Sequence, residues 1–481
     1  MILMKRCASF VLLAAISASS SATQAAFLDV FRTRTDIPAT PASPLIGTAI
    51  CPDVRVDVPL ELEDVILRAI CAHPRARQTW SVIRARAAAV GSARTAYLPS
   101  LNASTHIQRD TVSARYDYSV SGLGSVDNSR TTSSMQSSLD LGWLLFDFGQ
   151  RGASIQQAHA LLAAANANHD EALQTIFFDA AHAFYAVRDA QAAARTANLN
   201  EEVAHRSLVI AQAKHQSGVG SLIDQLQART AYRRAILDRI SAEGSLRVAA
   251  GVLSVAMGLD ANVPVRIASA KAMPSEHVIQ AGVDLLIDEA KARHPKLIAA
   301  RAMLDAARAD IDAARAQGRP TISLVAKRIV NTPLHGQRSE YASVSRLSSS
   351  VVGLQLTIPL FEKLYSGQRV AYALARADER EADLRNTELL VSSEVWRSYH
   401  ELQAASANLT NARELVDDAS RSLDIARGRY KEGVGTFTEL LNAQTAFFDA
   451  EKQRVIAVSK WRISRLRLAA GLGNLRLWPS D

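Results

Sequence analysis

The chain has 481 residues, of which 48% are hydrophobic but only 6% aromatic, a balance that argues against one core built around bulky rings. At this length a second domain, a repeat or an elongated shape must be considered. The formal charge of +8 raises nucleic acid as a partner, but Asp and Glu interrupt the basic residues throughout. No basic arm is present, and a solvated helical surface without nucleic acid is the reading.

The amino terminus is the first informative element. Lys5 and Arg6 precede an apolar stretch, Ala8 to Ala18, followed by a small polar run, Ser19 to Ala26. That order is a secretory signal peptide, with cleavage expected after Ala25 or Ala26. The apolar run is too short to span a membrane as a helix, and no later run approaches the roughly 20 residues required. Export places Cys51 and Cys71 in an oxidising compartment, where one disulfide would close a loop of about 20 residues and contribute about 3 kcal/mol. Two unpaired thiols are the alternative. Neither cysteine would be the first mature residue, which argues against a lipid anchor there.

The remainder of the chain is written twice. His73-Pro74 recurs as His294-Pro295 and Pro99 as Pro320, both at an offset of 221. Leu139, Leu141, Leu145 and Phe146 recur as Leu354, Leu356, Leu360 and Phe361, at 215. Gly149-Gln150-Arg151 returns as Gly367-Gln368-Arg369. Arg206-Ser207-Leu208, Gly218-Val219-Gly220 and Ala228-x-Thr230-Ala231 return at 215 as Arg421-Ser422-Leu423, Gly433-Val434-Gly435 and Ala443-x-Thr445-Ala446. Such ordered spacing marks a tandem duplication. The division expected is a signal peptide over 1–26, an N-terminal segment over 27–58, a first repeat over 59–262, a linker over 263–282, a second repeat over 283–475 and a tail over 476–481.

Each repeat reads helix, strand, loop, strand, very long helix, glycine turn, helix. The first helix is expected from about Leu60 to Leu98, and its counterpart from about Val283 to Gly318. Strands follow over Leu101 to Arg109 and Thr321 to Ile329. Their partners are the alternating runs Met135, Leu139, Leu141, Trp143, Leu145 and Val352, Leu354, Leu356, Ile358. The first copy carries six more residues between its strands, in the polar stretch Asp110 to Met135, so that stretch is expected to be a surface loop. Period-two segments of about ten residues are the pattern of a membrane β-barrel. Four strands cannot close a barrel, because the smallest need about eight, and lipid tolerates no open edge. If these strands cross a membrane, the protein must oligomerise. A soluble sheet capping a helical bundle is the alternative.

The long helices are expected at 150–217 and 366–432, each about 100 Å at 1.5 Å per residue. Val395, Leu402, Leu409, Val416 and Leu423 stand seven apart, as do Ala183, Ala190, Ala197, Ala204 and Ala211. A sustained heptad argues for supercoiled packing. An ordinary four-helix bundle would use the same pattern.

The signal peptide, the duplicated helix–hairpin–helix units, the His-Pro…Pro spacing and the two Gly-Val-Gly turns resemble the TolC family over about residues 59 to 475. The resemblance implies a mainly α fold with a membrane β-barrel: a homotrimer with a twelve-stranded barrel in the lipid of the Gram-negative outer membrane and a helical periplasmic tunnel. It implies a channel or exit duct that works with a periplasmic adaptor and an inner-membrane ABC transporter or proton-driven pump. The turns Gly218, Gly220, Gly433 and Gly435 would form the periplasmic tip. Asp224 and Glu439 would line its constriction as rings of carboxylates that favour cations, and Tyr430 matches a tyrosine that helps to hold the tip closed. Two positions depart from the family pattern: Gly435 stands where an arginine is expected, and Asn442 where a second acid is expected. Asp224 and Glu439 also fit ordinary acids in a first helical turn.

Cys51, Cys71 and the helix opening near Asp64 look more like type I secretion members, including exporters of RTX toxins of the adenylate cyclase–hemolysin type. A drug or metal efflux duct and a soluble periplasmic coiled-coil adaptor are the rivals. The sequence lacks G-x-x-x-x-G-K-[ST], H-E-x-x-H and G-x-S-x-G, and its eleven histidines include no i, i+4 pair. Neither an enzyme nor a cofactor is expected, so a partner must supply the energy for transport.

Overall fold

Proline decides where each repeat begins to depart from a continuous helix. The residue before a proline is driven to extended backbone, and His73 and His294 sit at ψ 129° and 125°. Helix α1, Leu62–Ala72, therefore stops at His73, and α2, Pro74–Thr95, starts afresh. In the computed structural model, which describes residues 31–46, 51, 58–117, 122, 124–268, 282–335, 346–360 and 362–473, the second repeat breaks in the same place. The expectation of one helix from Leu60 to Leu98, and one from Val283 to Gly318, is corrected on both counts. The histidine is itself the cap: Nδ1 of His73 accepts from Arg75 N at 3.2 Å, and Nδ1 of His294 from Lys296 N at 3.2 Å.

The hairpin β1, Ser100–Asp117, and β2, Ser125–Phe146, then precedes α3, Gln150–Gln216, and α4, Leu222–Ala256. The second repeat supplies α5, Val283–Arg293, α6, Pro295–Gln317, β3, Thr321–His335, β4, Leu347–Thr357, α7, Glu362–Lys431, and α8, Phe437–Gly471. With 67 and 70 residues, α3 and α7 are each about 100 Å long. The expected signal peptide and tail lie outside the described residues, as does most of the expected linker.

The stretch from Asp110 to Met135 is strand for most of its length, contrary to the surface loop expected of it. β1 runs to Asp117 and β2 starts at Ser125, in unbroken register from Ser100↔Gly142 to Asp117↔Ser125. Hydroxyls opposite one another hold it: Thr111 meets Thr131 at 3.1 Å and Ser113 meets Ser129 at 3.3 Å, while Arg115 pairs with Asp127 at 2.6 Å. Thr and Ser side chains that hydrogen-bond across strands suit a sheet as well as a loop, so the six extra residues lengthen a hairpin.

The four strands form one antiparallel sheet in the order β1-β2-β3-β4. Its two faces differ. Leu101, Leu141, Ala326 and Val352 lie opposite one another in one row, and Trp143, Leu324 and Leu354 in the next. Within these rows Leu101 is 62% exposed, Val352 75% and Leu354 71%. The neighbouring row on the other face reads Asn102, Asp140, Lys327, Val351, with Lys327 Nζ 3.1 Å from Asp140. A sheet with apolar rows bare on one face and a charged pair on the other suits lipid on one side and water on the other. Among the described residues each edge strand has a partner on one side only, so the sheet is open.

The long helices pack as heptads. Val395, Leu402, Leu409, Leu423 and the alanines Ala405, Ala412 and Ala419 are buried in α7, as are Ala183, Ala204 and Ala211 in α3. Helix α3 packs on α4, α2, α6, α1 and α8, and α7 packs on α8, α6 and α5. No described helix is long and apolar enough to cross a membrane.

The N-terminal segment lies along α2 and α3 and is gripped through its own carbonyls. Arg94 donates to Phe31 O at 2.6 Å, Trp80 Nε1 to Pro38 O at 3.0 Å and buried His169 Nε2 to Pro41 O at 2.8 Å. Cys51 is joined to Cys71, near the end of α1, through a disulfide.

Candidate functional site

The reversal of a long helix onto its neighbour needs two things of the backbone, and each glycine of a turn supplies one. Gly218 and Gly433 have φ of +77° and +80°, the left-handed region that side chains disfavour. Gly220 and Gly435 have ordinary φ but no room: a Cβ on Gly220 would lie 2.8 Å from Lys214 Cβ, and one on Gly435 2.9 Å from Arg429 Cβ. The crowding arises because Val219 N and Gly220 N both bond to Lys214 O, while Val434 N and Gly435 N both bond to Arg429 O. Ser221 and Thr436 then cap the returning helices by accepting from Ile223 N and Glu439 N.

Beneath the turns the two repeats share a core. Leu208, Ala211 and Ala228 of the first meet Leu423, Tyr430, Phe437, Leu440 and Ala443 of the second. Gln444 Nε2 donates to Ser207 Oγ at 2.8 Å in a buried bond between α8 and α3. Tyr430 is buried here, its ring 5.6 Å from that of Phe437 in an edge-on arrangement. Burial, and then the nearby Asp224 carboxylate, push its phenol above the usual tyrosine range.

Lys214 is a residue the sequence reading missed. Its Nζ donates to Tyr430 O at 2.8 Å and lies 3.9 Å from the centre of the Tyr430 ring, so it ties the end of α3 to the end of α7. The signal was present, because Lys214-His215 and Arg429-Tyr430 are the same cation–aromatic pair at the offset of 215.

The remaining candidates are placed as follows. Asp224 is half-buried in the first turn of α4, facing Tyr430. Glu439 is in the first turn of α8, with Arg429 Nε 3.6 Å from its carboxylate, and both side chains are about half exposed. Asn442 is exposed about one turn further along α8. The tip therefore gathers Asp224, Tyr430 and the glycines into one assembly with Lys214 and Arg429, while Cys51 and Cys71 belong to a different element. These groups do not converge on a reacting centre within the chain. Among the described residues, no group of three His, Cys, Asp or Glu could hold a metal ion. What the arrangement does within the chain is tie the two helix reversals together and leave the Glu439 and Arg429 side chains about half exposed.

Comparison with known proteins agrees with this architecture. The outer membrane efflux protein family is matched over residues 65–259 and again over 286–474. Protein CyaE of Bordetella pertussis is 33% identical over 420 residues, covering 86% of this chain and 84% of that protein. Outer membrane protein TolC of Escherichia coli is 23% identical over 440 residues, covering 90% and 86%. The crystal structure of the outer membrane protein VceC from Vibrio cholerae superimposes with a TM-score of 0.72 at 19% identity, covering 86% of this chain and 96% of that one. With both of its repeats matched and a relative at this identity over most of its length, the chain belongs to the outer membrane efflux protein family.

Proposed function

We propose that this chain is the outer-membrane exit duct of a three-part export machine, working as a homotrimer with a periplasmic adaptor and an inner-membrane transporter. The carrying observation is the open four-stranded sheet, with bare apolar rows on one face and, among the described residues, two unpaired edges. In lipid an unpaired strand edge costs several kcal/mol for each group left without a partner. Pairing β4 of each protomer with β1 of the next removes every such edge and leaves a barrel whose inner face is polar. The helices then continue the barrel as a tunnel, closed at the glycine turns, where three copies each of Asp224 and Glu439 face a common axis.

Within this role the cargo is a protein, exported by type I secretion. The Cys51–Cys71 bond and the opening of α1, where the Glu61 and Asp64 side chains cap each other's backbone, support this reading. A drug or metal efflux duct would share the fold. The experiment is deletion of the chain's gene in its host, with two readouts. The duct reading for protein cargo expects a specific protein to vanish from the medium while tolerance to drugs and metals is unchanged. An intact secreted set with lowered tolerance would favour efflux instead.

A further inference from the structure

The duplication determines more than the fold, because it also indicates how neighbouring protomers meet. Within one chain the hairpin α3/α4 docks on the hairpin α7/α8 through α3 against α8 and through Lys214 on Tyr430. The two hairpins correspond at 215 throughout, down to Gly258 and Gly473, which end α4 and α8 with φ of +76° and +68°.

Burial differs between them on one face each. Phe437 of α8 is 2% exposed, but its counterpart Leu222 in α4 is 54%. Arg462 is buried against Tyr185 and Asp189, whereas its counterpart Arg247 is exposed. On the opposing side, Ala181 of α3 is fully buried, but its counterpart Trp396 in α7 is 51% exposed. So α4 carries the docking face of α8 without an occupant, and α7 carries the docking face of α3 without one. Both are satisfied at once if α7 of one protomer meets α4 of the next as α3 meets α8. Repeating one head-to-tail contact around an axis closes a ring, and three chains contribute six hairpins to it.

At the tip this equivalence has a specific chemical content. Lys214 corresponds to Arg429, and Tyr430 to His215. We infer that Arg429 of each protomer lies over the imidazole of His215 of the partner subunit and donates to that residue's carbonyl, as Lys214 does to Tyr430. Arg429 and His215 are both exposed in the single chain, and the polar partners of Arg429 among the described residues are the half-exposed Glu439 and the carbonyl of Val434. A planar guanidinium stacks on a ring as well as an ammonium does and brings more donors. Higher up the same seam, Arg229 replaces Gln444 as the donor to Ser422 of the partner subunit, the counterpart of Ser207. The tip is thus fastened by six clasps of alternating kind, three within protomers and three between them.

This inference rests on the homotrimer proposed above, and the test separates the two. Cysteines are placed at His215 and Arg429 together, Cys51 and Cys71 are left bonded, and the purified protein is treated with a short bismaleimide. Denaturing gels are expected to show covalent dimers and trimers. The control H215C/R427C, in which the second thiol is two residues earlier and on the other side of α7, is expected to stay monomeric. K214C/Y430C is expected to cross-link within a chain, without a change in chain number. Native mass measured on the same H215C/R429C sample completes the test. A trimer by native mass with no covalent ladder would overturn the clasp and leave the trimer standing. A monomer by native mass would overturn both.

Discussion

Acidification should weaken the fold through one buried imidazole, and the size of the effect follows from its surroundings. His294 is 7% exposed at the break between α5 and α6, and its Nδ1 must be unprotonated to accept from Lys296 N. Burial, with help from the neighbouring Lys296 ammonium, lowers its pKa from 6.5 to about 4. Between those values the unfolded chain binds a proton that the folded chain refuses, so stability falls as pH drops from about 6.5 to about 4 and no further below that. At 1.36 kcal/mol per pH unit, the loss is on the order of 3 kcal/mol per protomer. His294→Asn keeps a side-chain acceptor for the cap and removes the titration. Urea unfolding in detergent, followed by tryptophan fluorescence at fixed protomer concentration, should give curves for the two proteins that diverge between pH 6.5 and 4. Other groups titrate in both proteins, so the difference between the curves is the quantity to read. Parallel pH dependence in wild type and His294→Asn would refute the reasoning. His73, shifted in the same direction by burial and by Arg75, should behave alike.

Three further outcomes are expected. Gly435→Ala places a methyl 2.9 Å from Arg429 Cβ and should cost about 1–3 kcal/mol of local stability, visible as faster amide exchange at Val434 and Gly435; unchanged exchange would show that the turn has room. Leu409→Ala empties a fully buried heptad position of α7 and should destabilise the protein by about 2–5 kcal/mol in the same urea assay. Asp224→Asn and Glu439→Gln should each lower the preference of single channels for cations, measured as the reversal potential across a salt gradient. The change should be smaller for Glu439, because Arg429 already lies beside it; identical reversal potentials in both variants would place these carboxylates outside the pore.

Much of this was open to the sequence because the duplication repeats physical necessities. At each helix reversal one glycine sits where φ turns positive and another where a backbone passes too close, and both kinds recur 215 residues apart. The heptad of α7 is read directly, since its buried positions are apolar with the exception of Ser398. Other features were hidden for identifiable reasons. The His-Pro breaks were visible as a repeat, but their effect on ψ is local and is overlooked when a helical pattern continues on both sides. Ser and Thr across β1 and β2 look like a loop until their cross-strand partners are known. The N-terminal segment is gripped by its carbonyls, which carry no side-chain signature. Lys214 belongs to a cation–aromatic pair that recurs at 215, but its contact with Tyr430, 216 residues away, shows only when the two repeats are packed together.

The duct reading requires that the sheet be completed by neighbouring chains. The most direct measurement is the native mass of the protein extracted from the outer-membrane fraction in mild detergent. A complex of three chains, recovered from the membrane and converted to single chains by heat, is the predicted result. A single chain recovered from the soluble periplasmic fraction would contradict the account.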